Sequence, residues 1–149
     1  MKTEPFRVAC LQTQTGNDLE ANLETVRSMT RAAAEAGAQF VLTPEYTLMM
    51  DGSGRTMRER ALERDGGPAL PKLQELPNDC GVWLLVGSLT LRTDDERIAN
   101  RSYLLDAKGD VVASYDKIHM FDCVLPDGKV IRESSAYRPG DQAVVAETP

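Results

Sequence analysis

Apolar and polar positions alternate along this chain in two periods, and the switches between them outline the elements. Phe6 to Leu11 (Phe-Arg-Val-Ala-Cys-Leu) has the length and composition of a short buried strand, and Gly16-Asn17 breaks it. Leu19, Leu23, Val26 and Ala33 then recur on one helical face, which predicts a helix over Asn17–Ala36. Asn17 is its expected N-cap, with Glu20 in a capping-box position and Gly37 as the stop. Phe40-Val41-Leu42 predicts a second strand, ended by Thr43-Pro44. Strand, helix, strand is a βαβ unit, which requires a parallel pair with a right-handed crossover.

The pattern then turns polar and Gly-rich at Asp51–Gly54. It predicts a helix over Thr56–Glu63, a break at Gly66-Gly67-Pro68 and a shorter helix over Ala69–Cys80. Val82–Leu89 is apolar on both faces, as a central strand is. Arg101–Asp106 and Val111–Tyr115 flank Ala107-Lys108-Gly109-Asp110, a hairpin signal. Phe121–Gly140 reads as loop, and Ala143–Ala146 as a last strand. The fold class is α/β with a mixed sheet. A strand arriving at Thr148-Pro149 with nothing to cover it leads us to expect an incomplete domain.

Composition narrows the function. The 149 residues are 42% hydrophobic and 27% charged, as in an ordinary folded domain or part of one. Net charge is −6, with both signs mixed along the chain, which argues against nucleic acid or an anionic membrane as the partner. Cys10, Cys80 and Cys123 stand far apart, and with one histidine they suggest neither a disulfide framework nor a zinc cage. The N-terminal stretch has too short an apolar core for a leader or a membrane span, so a reducing cytoplasm is expected.

There is no Gly-x-Ser-x-Gly elbow, no Walker loop and no His-Glu-x-x-His; Gly52-x-Gly54 meets Met57 where a third glycine would complete a dinucleotide loop. No cofactor is expected. The remaining signal is positional, because ligand sites of open α/β sheets lie beyond the carboxyl ends of strands. Glu45 follows Phe40–Leu42, and Lys117 follows Val111–Tyr115. A base and a cation facing one crevice are two of the three parts that acyl transfer needs, the third being a nucleophile. Charged residues after strands are also ordinary solvated loop residues, and position alone leaves both readings open.

The motifs weigh the balance. Phe40-Val41-Leu42-Thr43-Pro44-Glu45 resembles the first catalytic segment of the nitrilase superfamily of carbon–nitrogen hydrolases. Tyr115-Asp116-Lys117-Ile118-His119-Met120-Phe121-Asp122 resembles its lysine segment, and Glu133-Ser134 with Arg138-Pro139-Gly140-Asp141 its second-glutamate segment. Asn100-Arg101-Ser102-Tyr103 fits the strand pair leading to the lysine. The motifs come in family order from Val8 to the last residue.

The resemblance implies half of a four-layer α-β-β-α sandwich. It implies a Glu–Lys–Cys mechanism through a thioester, with Glu45 as base, Lys117 as oxyanion stabiliser and Glu133 as auxiliary carboxylate. The family's cysteine lies in a segment reading roughly Gly-x-x-Ile-Cys-Tyr-Asp. The chain ends before it, so residues 1–149 are expected to be the N-terminal part of one hydrolase domain, inactive alone. Cys123, six residues after Lys117, is a substitute nucleophile outside the family motif, while Cys10 is expected in the core and Cys80 at a helix end. Tyr46 and His119 are candidates for the pocket wall. Lys-Ile-His-Met-Phe-Asp with a later Glu-Ser looks most like the ω-amidase and deaminated-glutathione amidase branch, which implies small amides of α-keto acids as substrates and a homo-oligomer in the full-length form. The alternative is a non-catalytic binding or assembly module that keeps half of the fold.

Overall fold

The computed structural model describes residues 5–149; the first four residues of the stretch read above as no leader lie outside the described residues. A βαβ unit opens the chain as expected: β1 (Val8–Cys10), α1 (Leu19–Glu35) and β2 (Phe40–Leu42), the two strands parallel. Two helices follow, α2 (Gly54–Glu59) and α3 (Ala69–Cys80), and then β3 (Trp83–Arg92), parallel to β2. β4 (Ile98–Leu105) and β5 (Val111–Asp116) are added antiparallel, so the sheet runs β1-β2-β3-β4-β5. β2, β3 and β5 therefore point the same way, and their carboxyl ends share one edge of the sheet. A separate hairpin, β6 (Asp122–Val124) with β7 (Val130–Arg132), follows β5. Among the described residues, no helix is long and apolar enough to cross a membrane.

One face of the sheet carries the core. Leu23 and Val26 of α1 and Leu73 and Leu76 of α3 pack on Val41, Leu84, Val86 and Leu105, all at most 3% exposed. A leucine buried to that degree contributes about 1.5–3 kcal/mol over an exposed one. On the other face, strand alternation lines up Val8, Phe40 and Trp83 in one register row and Cys10, Leu42 and Leu85 in the next. None of these six is buried, so β3 is apolar on both sides but covered on one.

Several expectations need correction. Helix α1 is capped by Asp18, not Asn17: Asp18 is extended, and its carboxylate accepts the Ala21 N–H at 3.1 Å. A carboxylate one residue nearer the helix suits its positive end. Glu20 ion-pairs with Lys72 of α3 rather than closing a capping box. Helix α2 ends at Glu59, short of Glu63, because Leu62 is drawn to β3, donating to Thr90 and accepting from Arg92. Cys10 is exposed: β1 is an edge strand, and period two turns Ala9 to the core and Cys10 to the open face. Cys80 ends α3 as expected, with Gly81 in the left-handed conformation that closes the helix.

The stretch Phe121–Gly140 is not all loop. The tight turn from Leu125 to Lys129 supports the β6–β7 hairpin, and a 3-10 turn covers Glu133–Ser135. Ala143–Ala146 forms no strand; Val145 is 97% exposed, although Val144 and Ala146 border a small cavity together with Leu104 and Ala113. Alternating small and apolar residues satisfy a strand pattern, but a strand needs a neighbour with free backbone groups.

Candidate active site

The site begins where β2 breaks off. The run Thr43-Pro44-Glu45-Tyr46-Thr47 turns over the edge of the sheet through a chain of short polar contacts. The Gly87 N–H donates to Thr43 Oγ1 (2.9 Å), the hydroxyls of Thr43 and Thr47 bond each other (2.7 Å), and Thr47 donates to the Pro44 carbonyl (2.9 Å). Opposite, the register of β3 against β4 shifts between Val86 and Leu89, so Gly87 and Ser88 sit in a bulge. A Cβ on Gly87 would lie 2.3 Å from the carbonyl oxygens of both Thr43 and Pro44. Glycine is what permits this approach.

Tyr46 takes a left-handed conformation (φ 56°), the one such non-glycine among the described residues. Its N–H donates to Ser88 Oγ at 2.9 Å, which anchors a backbone geometry a tyrosine does not favour. Across the edge, the Lys117 N–H donates to the Asn100 carbonyl and the Gly140 N–H to the Lys117 carbonyl, each at 2.9 Å. Lys117 is thereby held between β4 and the segment after the 3-10 turn.

These elements bring three charged side chains together. Lys117 Nζ lies 3.1 Å from Glu45 Oε1 and 3.0 Å from each carboxylate oxygen of Glu133. Glu133 is deeply set, its side chain 9% exposed, and accepts further bonds from the Tyr46 hydroxyl (3.3 Å) and the Phe121 N–H (2.5 Å). Ser134 bonds Asp122 through its N–H and hydroxyl, which fixes the turn bearing Glu133. Glu45 is the open member, its side chain 49% exposed, and Asn100 Nδ2 donates to its Oε1 at 2.6 Å. Burial works against the Lys117 ammonium, but hydrogen bonds to Glu133 and Glu45 and their charges outweigh it and raise its pKa above the ordinary lysine value. Burial also raises the pKa of the Tyr46 phenol, with Tyr137 and the two glutamates adding to it, so it serves as a donor.

Glu45, Lys117 and Glu133, selected from sequence, thus meet at one point. Tyr46 does as well, as a hydrogen-bond donor to Glu133, packed edge-on against Tyr137. His119 is exposed and forms no hydrogen bond or ion pair with the three. Cys123 is half-buried on β6, in a hairpin rather than a loop. Sequence reasoning assigned no role to Asn100 or Ser88; nothing in the charge or period of Asn-Arg-Ser-Tyr or Gly-Ser-Leu marks them. A cavity of about 440 Å³ lies behind Tyr46, between the start of α1 and the edge of β3, with Asp18, Arg60 and Ser88 in its wall. Glu45, Lys117 and Glu133 do not line it. Among the described residues, no group of three His, Cys, Asp or Glu is arranged to hold a metal ion.

This sheet edge, with a lysine set between two glutamates, is the setting in which the comparisons with known proteins fall. The carbon–nitrogen hydrolase family model matches residues 7–149, and the chain belongs to that family. Its structural neighbours are nitrilase-superfamily amidases. It is 36% identical over 146 residues to the deaminated glutathione amidase of Yersinia enterocolitica, an alignment covering 95% of this chain and 50% of that protein. It is 31% identical over 144 residues to human omega-amidase NIT2, covering 97% of this chain and 51% of that one. An amidase mutant from Nesterenkonia sp. AN1, solved after Michael addition of acrylamide at its active-site cysteine, superposes with a TM-score of 0.76 at 26% identity, covering 93% of this chain and 51% of that one. The chain spans about half the length of the curated relatives it matches.

Proposed function

We propose that these 149 residues supply the glutamate–lysine–glutamate part of an amidase site, with the nucleophilic cysteine contributed by sequence that the chain does not contain. The observation that carries this reading is Lys117 Nζ within 3.1 Å of both Glu45 and Glu133, with Glu45 the most open of the three to solvent.

In this mechanism Glu45 takes the proton from the cysteine thiol, and the thiolate attacks the amide carbon. The carbonyl π electrons move to oxygen, and the Lys117 ammonium stabilises the oxyanion. Once Glu45 is protonated its hold on Lys117 weakens, while Glu133, itself fixed by the Tyr46 hydroxyl and the Phe121 N–H, keeps the ammonium in place. Glu45 then passes its proton to the leaving nitrogen as the intermediate collapses to a thioester and ammonia. Water, activated by the same carboxylate, releases the carboxylic acid and restores the thiol. The substrates in this reading are small amides of α-keto acids or of the deaminated-glutathione type; relatives named deaminated glutathione amidase and omega-amidase support an amide substrate.

The test joins this chain to a cysteine-bearing second half and follows ammonia release. Glu45→Gln and Lys117→Ala should each cost at least roughly a hundredfold in turnover, the scale of losing a general base or an oxyanion donor. The 149-residue chain alone should release none above background. Near-normal turnover in a folded Glu45→Gln or Lys117→Ala protein would refute that residue's role, and turnover by the chain alone, abolished by Cys123→Ala, would move the nucleophile to β6.

A further inference from the structure

The two oxygens of the Glu45 carboxylate are not equivalent. Oε1 receives both donors, Asn100 Nδ2 at 2.6 Å and Lys117 Nζ at 3.1 Å. Among the described residues, none donates to Oε2. Asn100 is 3% exposed and sits in β4 opposite Thr90 of β3, so its side chain starts from the best-paired part of the sheet. Its main-chain carbonyl, by contrast, holds the Lys117 N–H. One residue therefore grips the lysine through its backbone and the half-exposed glutamate through its side chain.

We infer that Asn100 is a positioning residue: it commits Glu45 Oε1 to two donors, fixes the rotation of the carboxylate and leaves Oε2 as the oxygen that takes and returns the proton. This deepens the proposed function and rests on Glu45 being the base. The physical reasons are separable. Lys117 by itself is shared with Glu133 and sits on the long, flexible side chain of its residue type, so it sets charge but not orientation. The Asn100 amide is short and buried, and its bond is the shortest one Glu45 makes. A hydrogen bond to a charged group from such a donor is among the stronger kind. Without it, either oxygen can turn to Lys117, and the base spends part of its time aimed away from the thiol.

Substitution isolates the side chain, because the backbone bond to Lys117 survives it. Asn100→Leu keeps the approximate shape and removes the donor; Asn100→Gln keeps a donor one methylene further out. In the joined enzyme, the probe is a small α-keto acid amide, and ammonia release is followed. Asn100→Leu should slow turnover roughly ten- to a hundredfold, the worth of one hydrogen bond to a charged group, and Asn100→Gln should recover part of it. The loss should fall on kcat while KM stays within about twofold of wild type, since a group that acts through the base leaves ground-state binding alone. Thermal melts identify a variant that has lost its fold, in which case Asn100→Gln alone decides, its turnover lying below wild type while its KM is kept. If Glu45→Gln slows ammonia release but folded Asn100→Leu does not, the positioning role is refuted and the amidase reading stands. If Glu45→Gln itself releases ammonia at the wild-type rate, it is the amidase reading that fails.

Discussion

Gly87→Ala puts one methyl group where the fold has no room for it. The new Cβ would stand 2.3 Å from the carbonyl oxygens of Thr43 and Pro44 and 2.4 Å from the Pro44 carbonyl carbon, against 3.4–4 Å for ordinary contact. The segment must therefore retreat by about 1 Å, and these are backbone atoms that no side-chain rotation can move aside. Overpacking of this kind costs about 1–3 kcal/mol. The retreat also stretches two hydrogen bonds, Gly87 N–H to Thr43 Oγ1 and Thr43 N–H to the Leu85 carbonyl, each worth about 0.5–1.5 kcal/mol. Together the loss is roughly 2–6 kcal/mol, or about 10 °C in Tm for a domain of this size. Glu45 travels with the same segment and should lose its contact with Lys117. The assay is a thermal melt of the 149-residue chain beside Gly16→Ala, where a new Cβ meets nothing within 4 Å and should change Tm little. A Gly87→Ala chain that melts within about 2 °C of wild type, with Glu45 still on Lys117, would refute the argument that close approach at the bulge builds the site.

Lys117 makes stability depend on pH at the alkaline end. Its folded pKa is raised above the ordinary 10.5, so its stabilising contribution is fully present below that value and is lost as pH rises through the folded pKa. The difference in urea midpoint between wild type and Lys117→Met should hold steady from about pH 8 to about pH 10 and shrink above that; a difference that stays constant to about pH 12 would contradict the site geometry. The three thiols should react with a soluble disulfide reagent in distinct phases under native conditions. Cys10, exposed on the edge strand, should react first, and Cys80 last, since burial raises its thiol pKa against the opposing pull of Arg31. Labelling of single-cysteine variants reads the order directly.

Much of this protein is legible one segment at a time. The βαβ opening, α3 and the β4–β5 hairpin follow from apolar spacing and from glycines placed where turns need them, because each of these signals is local. Glu45 and Lys117 could be chosen because the carboxyl ends of parallel strands collect on one edge, a rule of topology rather than of sequence detail. What tertiary structure decided is what depends on partners distant in the chain. Asp18 displaced Asn17 as a cap because its backbone is the extended one. Cys10 faces out because β1 is an edge strand, and no run of residues announces which strand will be at the edge. Leu62 left its helix for a bond to β3. Tyr46 became a donor to Glu133 only through a left-handed backbone held by Ser88, 42 residues away. Asn100, an uncharged residue within a strand, acquired its role because β4 carries it to a carboxylate 55 residues earlier in the chain. Charge and period can be read along a sequence, whereas the direction of a buried amide is settled only when the sheet has brought two strands and a turn to the same edge.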